Sequence, residues 1–202
     1  MSQSKVLADQ LYSGESIAAD AVRIAAANIL LALCAHIVIP LPFTPVPITG
    51  QTFGVLLVAV LLGARRSGIA LVLYLLEGLA GLPVFQPLGI PGPARFIGPT
   101  AGYLVAYPFA AFATGWLVER IADAKRSGGI KSQPAGAPLA GALLCGETII
   151  FWGGCTWLAL GMRLGWPLAL QNGALPFVPG EIIKMALIVT LVGGFELFRR
   201  KP

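Results

Sequence analysis

The chain has 202 residues, 56% apolar and only 11% charged, with 14 Lys and Arg against 9 Asp and Glu for a net charge of +5. Soluble domains carry about 25% charged residues, so composition argues against a water-soluble fold; disordered chains are poor in apolar residues, and three cysteines do not make a small disulfide scaffold. A helical integral membrane protein remains, in keeping with a mean hydropathy of +0.81.

Met1 to Ser16 reads as a cytoplasmic N-terminal segment. No Asp, Glu, Lys or Arg occurs from Ile24 to Ala64 or from Phe96 to Val118. Runs of about 20 apolar residues cross a bilayer as helices, and a barrel would need strands alternating with period two, unlike the unbroken Val55–Leu62. The pattern predicts an all-α bundle of six transmembrane helices: Ile17–Ile39, Gln51–Ala64, Ser67–Leu82, Pro99–Ile121, Pro138–Met162 and Gly180–Phe198. The second and third are short for a crossing, and Gly63-Ala64-Arg65-Arg66 reads as the turn between them. Residues 123–134 read as a polar inner loop.

The positive-inside rule puts both termini in the cytoplasm. Lys5, Arg23, Arg65, Arg66, Arg120, Lys125, Arg126, Lys131, Arg199, Arg200 and Lys201 then face inward, and the outer loops hold only Arg95 and Arg163. The net charge is accounted for by contact with anionic lipid. No basic stripe interleaved with aromatics suggests nucleic acid.

A single histidine, His36, rules out a multi-histidine metal site. There is no G-x-x-x-x-G-K-[ST] phosphate loop and no G-x-S-x-G. Cys34, Cys145 and Cys155 lie in apolar helices and read as inert packing. No catalytic constellation, metal or cofactor is expected.

Three segments carry polar chemistry. In Leu175-Pro-Phe-Val-Pro-Gly-Glu181-Ile-Ile-Lys184 the acid and the lysine share a helix face. Ionisable groups at membrane depth normally face a bundle interior or a cavity. The pair is either an ion pair that only holds the helix or a site for a ligand bearing N–H and C=O groups, such as a cyclic urea. The first outer loop, residues 40–50, contains Pro40, Pro42, Pro45 and Pro47; it is apolar yet not helical, a lid over a pocket or a stiff connector, followed by Gln51. The outer loop before Gly98-Pro-Thr-Ala-Gly-Tyr103 carries Arg95, which either pairs with a ligand carboxylate or is solvated. Glu77 lies near the outer end of the third span. Glu147 is mid-helix and is expected to be neutral, paired or facing a cavity.

In these residues the chain resembles the BioY family, the substrate-binding S component of energy-coupling-factor (ECF) biotin transporters. The resemblance rests on Pro45-Val-Pro-Ile-Thr-Gly-Gln51, Leu61-Leu-Gly63, Gly81-Leu-Pro-Val-Phe85, Gly98-Pro-Thr-Ala-Gly-Tyr103, and Leu175-Pro-Phe-Val-Pro-Gly180 followed by an acid and Lys184. It implies a six-helix bundle in a bacterial inner membrane that binds biotin near the outer face, with the first outer loop helping to close the pocket. It implies no enzymatic activity. The family's acid and lysine fall on Glu181 and Lys184, with Glu replacing the usual Asp. Gln51, Tyr74, Arg95 and Tyr103 are further expected contacts, Arg95 taking the valerate carboxylate. It further implies partners, a transmembrane coupling subunit and ATPase subunits, with Ala21, Ala25 and Ala32 on the first helix as a candidate docking face. The alternatives are an S component for another vitamin, a membrane-embedded enzyme using Glu147 or Glu181, or a structural subunit that binds no small molecule.

Overall fold

The structure, a computed structural model, describes residues 17–127 and 136–199. Lys5, Lys131, Arg200 and Lys201, the segment 1–16 and most of the expected 123–134 loop lie outside these residues. Helix α1 (Ile17–His36) leads into strand β1 (Val38–Ile39). The Pro-rich loop returns as β2 (Ile48–Thr49), antiparallel to β1, with Val38 opposite Thr49 and Ile39 opposite Ile48. The first apolar run therefore leaves helical geometry at Ile37, short of the expected Ile39, because the prolines that follow impose an extended path.

Helix α2 (Gln51–Leu79) is continuous by hydrogen bonding but broken at Gly63, with φ 76° and ψ −177°. That backbone region is essentially reserved for glycine. Gln51 Nε2 donates to the Tyr74 hydroxyl at 2.9 Å, whereas a straight helix would hold these residues about 35 Å apart. The two arms of α2 must therefore fold back on each other at Gly63. Glu119 Oε1 accepts from Ala64 N, the first amide of the returning arm, at 2.9 Å, and a Cβ at Gly115 would collide with the Gly63–Ala64 backbone.

A 3-10 turn (Gly92–Ile97) precedes α3 (Ala101–Arg126), which packs on both α2 and α4. Asp123 to Arg126 belong to α3, so the expected inner loop begins later than residue 123: nothing in that stretch breaks a helix, and Lys125 and Arg126 suit its C-terminal end. Helix α4 (Gly136–Thr156) continues through a π-helical turn (Trp157–Gly161). A short helix α5 (Trp166–Gly173), not anticipated from the sequence, is followed by α6 (Val178–Arg199) at an angle of 50°. Among the described residues, four helices are long and apolar enough to cross a membrane, and a fifth span results if the bent α5–α6 pair is one crossing.

The surface is inverted relative to a soluble protein. Trp152, Phe109 and Leu144 are well exposed on the outside of the bundle, while Tyr74, Leu31, Leu71 and Ile150 are buried. One end is tied by Arg66 Nε to Asp20 at 2.9 Å, joining the returning arm of α2 to α1. Leu56, Val60, Leu139, Leu143 and Ile188 pack α2, α4 and α6 into an apolar cluster.

Candidate functional site

The start of α2, the start of α3, the middle of α4 and the start of α6 converge beneath the Pro-rich loop. They surround a small, partly open cavity of about 40 Å³, lined among others by Thr49, Gln51, Thr52, Tyr103, Tyr107 and Glu181. A second cavity of about 260 Å³ is lined by the loop residues Leu41, Thr44 and Pro45 and by Arg95. Pro47 and Thr100 line both, so the two adjoin. Together they reach the lower end of the range for small-molecule pockets, about 300 Å³.

Glu181 is 5% exposed. Its Oε1 accepts from Lys184 Nζ at 2.7 Å and its Oε2 from Thr52 Oγ1 at 2.7 Å. Helical spacing brings the acid and lysine together, and the fold adds Thr52 from α2. Lys184 also donates to Thr49 O at 2.6 Å and to Thr52 Oγ1 at 2.9 Å. An ammonium has three hydrogens, so its donors are fully used. Glu181 faces the cavity and Lys184 stands behind it, absent from the lining of either cavity. A buried carboxylate with an anchored cation has lone pairs left to accept from a ligand N–H.

Gln51, 5% exposed, lines the small cavity and is held at both ends of its amide, by Tyr74 and by Thr49 Oγ1 at 3.5 Å. Tyr74 lines neither cavity. Its hydroxyl donates to Val84 O at 2.7 Å and its ring meets Phe85 edge-on, so it fixes the loop after α2 and orients Gln51 from behind. Tyr103 lines the small cavity while its hydroxyl donates to Gly173 O at 2.6 Å, tying α3 to the end of α5. Its ring lies against Gly154 so closely that a Cβ there would overlap it.

Arg95 lines the larger cavity but is not solvated: it is 6% exposed, with Nη1 donating to Leu88 O at 2.6 Å and Nη2 to Gln86 O at 2.7 Å. Its Nε has no partner among the described residues. Burial pulls the guanidinium pKa down from its ordinary value, and Tyr74 opposes this slightly; an anion nearby would oppose it further.

Several lining residues were not singled out in the sequence. Thr49, Thr52, Thr100, Tyr107, Phe151 and Phe177 all face the small cavity. Thr49 and Thr52 flank the Gln51 already noted, three residues apart across a helix start. Thr44 anchors the Pro-rich loop through a 2.6 Å hydrogen bond to Asn172 O. Glu147 is 3% exposed, one turn deeper on the α4 face that carries Ile150 and Phe151, and neither carboxyl oxygen has a partner among the described residues. Glu77 accepts from Asn28 Nδ2 at 2.8 Å, joining α2 to α1 away from the cavities. No cluster of three or more His, Cys, Asp or Glu placed to hold a metal occurs among the described residues.

A family model described as the BioY family matches residues 3–200. The chain belongs to the BioY family. It is 40% identical over 167 residues to a protein from Rhizobium etli named biotin transporter BioY, covering 83% of this chain and 86% of that one. It is 34% identical over 169 residues to a protein of the same name from Lactococcus lactis, with 81% and 85% covered. It superposes on a crystal structure described as the S component for biotin from an ECF-type ABC transporter, with a TM-score of 0.72 and 27% identity over 91% of this chain and 95% of that one. In this BioY-family chain the acid at 181, the glutamine at 51 and the tyrosine at 103 meet at one cavity, the arginine at 95 lines the neighbouring one, and the lysine at 184 and tyrosine at 74 stand one layer back.

Proposed function

We propose that this chain captures biotin from the outside as the substrate-binding component of an ECF-type uptake transporter, with no covalent chemistry. The observation that carries the reading is Glu181: a buried carboxylate facing a small, partly open cavity, anchored by Lys184 and Thr52. A carboxylate placed this way accepts the N–H of a ureido ring. The phenyl and aliphatic walls from Phe151, Phe177 and Ile150 suit the ring's apolar face. The valerate chain runs past Pro47 and Thr100 into the larger cavity, where Arg95 receives its carboxylate. Gln51 and Tyr103 shape the head-group pocket; Tyr74 and Lys184 hold its walls. The names of the Rhizobium etli and Lactococcus lactis relatives and the description of the superposed structure support biotin over other vitamins.

The protein is a single multi-pass membrane domain of the bacterial inner membrane. Counting the two arms of α2 as separate crossings and the α5–α6 pair as one gives six spans, which leaves both termini in the cytoplasm with the basic residues. The loop 40–50 is the lid over the pocket, and 1–16 is a cytoplasmic segment. The sequence carries no phosphate-loop motif, in keeping with ATPase subunits joined through a membrane coupling subunit supplying the energy. The small face of α1 at Ala21, Ala25 and Ala32 is the docking surface for that subunit.

Equilibrium binding of radiolabelled biotin to the purified chain tests the reading. Wild type binds biotin and neither thiamine nor riboflavin, and Glu181→Ala loses binding. A wild-type chain that binds no biotin, or a Glu181→Ala chain that binds it unchanged, overturns it.

A further inference from the structure

At the end of the bundle that holds the Gly63 turn, several arginines already have an acid. Arg23 Nη1 and Arg66 Nε both meet Asp20, at 2.7 and 2.9 Å, and Arg126 Nη1 reaches Asp123 at 3.8 Å. Arg65 and Arg120 differ. Both are exposed, and neither has a carboxylate partner among the described residues. They belong to one place in the fold, because Glu119 Oε1 accepts from Ala64 N at 2.9 Å and so joins the residues that precede them in α3 and α2. That bond also engages the acid next to Arg120.

Each of the two arginines ends an exposed apolar stripe. On the returning arm of α2, Ile69, Val72 and Leu76 follow Arg65 at helical spacing and are exposed. On α3, Trp116, Phe112 and Phe109 precede Arg120 at the same spacing and are exposed too. The stripes adjoin at Gly68, where a Cβ would lie 3.7 Å from Phe112 Cβ, in ordinary contact. The missing side chain leaves a shallow groove there. Each stripe covers eleven positions, about 16 Å at the rise of an α-helix, which matches one leaflet of a hydrocarbon core about 30 Å thick. The Arg120 guanidinium lies 5.0 Å from the centre of the Trp116 ring, a cation–π contact that consumes none of its N–H hydrogens. An ordinary lipid-facing surface needs only the apolar part. Two cations without an acid add a demand for negative charge, and arginines meet a phosphate through charge-assisted hydrogen bonds.

We propose that the groove between the returning arm of α2 and α3 binds an anionic phospholipid, its phosphate between Arg65 and Arg120 and an acyl chain along the two stripes over Gly68. The lipid braces the Gly63 turn from outside, as Glu119 does through the Ala64 amide. None of these residues lines either cavity, so the site stands apart from the biotin reading.

The test follows binding of phosphatidylglycerol, phosphatidylcholine and glycerol phosphate to the delipidated chain in detergent by native mass spectrometry, for wild type, Arg65→Gln, Arg120→Gln, the double variant and Arg126→Gln. Wild type retains phosphatidylglycerol in preference to phosphatidylcholine. Each single variant at 65 or 120 weakens phosphatidylglycerol binding about fivefold, the effect of one basic group beside an anionic headgroup. The double variant holds the two lipids alike, and Arg126→Gln, which removes a cation from the Asp123 pair, behaves as wild type. Phosphatidylglycerol raises the melting midpoint of wild type and leaves that of the double variant unmoved. A wild type that does not distinguish the two lipids, a double variant that keeps the preference, or an equal loss in Arg126→Gln overturns the site. Glycerol phosphate binding as tightly as phosphatidylglycerol shows a free-phosphate site and overturns the lipid. A wild-type dimer that Phe109→Asp dissolves assigns the groove to a second copy of the chain and overturns it as well.

Discussion

Replacing Lys184 by Met separates the structural role of the lysine from that of the pocket. Lys184 and Glu181 are 15% and 6% exposed at their side chains, so the pair is buried. Removing one partner leaves Glu181 with only the Thr52 hydroxyl and takes the donor from Thr49 O. Breaking a buried pair from one side costs about 3–5 kcal/mol. For a chain of this size, each kcal/mol moves the midpoint of thermal unfolding by about 2–4 °C, so Lys184→Met is expected to melt roughly 6–20 °C below wild type in detergent. The triple variant Lys184→Met, Glu181→Leu, Thr52→Val replaces the whole network by apolar groups of similar size. Such replacements are often neutral, and only the Thr49 carbonyl stays unpaired, at about 1–3 kcal/mol. The triple variant should therefore melt above the single one while binding no biotin. If it melts no higher than Lys184→Met, the destabilisation does not come from an orphaned charge and the reasoning fails.

Three further expectations follow from other parts of the fold. Gly63→Ala forces a side chain into a backbone region reserved for glycine at a cost of about 1–3 kcal/mol. A lowered melting midpoint in fluorescence-detected size exclusion would show it, and an unchanged one would refute the turn. Arg95→Lys keeps a charge but loses the planar fork that bridges Leu88 O and Gln86 O; faster proteolysis of the 86–90 loop, together with several-fold weaker biotin binding, is expected, and an unaltered cleavage rate would exclude the bracing role. Ile90→Cys should react with a membrane-impermeant maleimide from outside intact cells and Ser127→Cys only after permeabilisation; the opposite pattern would reverse the proposed orientation.

Much of this was legible in the chain itself, because hydropathy and helical period are local properties. Charge-free runs such as Phe96–Val118 exclude a soluble domain without reference to any contact. The three-residue spacing puts Glu181 and Lys184 on one face whatever they pack against, and Gly63 was marked as a turn by the arginines that follow it. The prolines of the first outer loop foretold an extended path, though not the antiparallel pairing of Val38 and Ile39 with Ile48 and Thr49. Helix α5, with 8 residues, is too short for its periodicity to stand out in the sequence.

What the tertiary structure alone decided is which polar groups are already satisfied. From the sequence Lys184 is either an ion-pair partner of Glu181 or a ligand donor, but Thr49 and Thr52, more than a hundred residues earlier, use its remaining hydrogens. The family resemblance makes Tyr74 and Tyr103 expected pocket residues, yet their hydroxyls are bound to carbonyls on separate segments, Val84 and Gly173. Tyr107 bears no sequence mark, and its place in the cavity wall becomes visible only when the helices are assembled. Hydrogen-bond capacity is a count over spatial neighbours, and those neighbours are set by packing between distant segments rather than by sequence order.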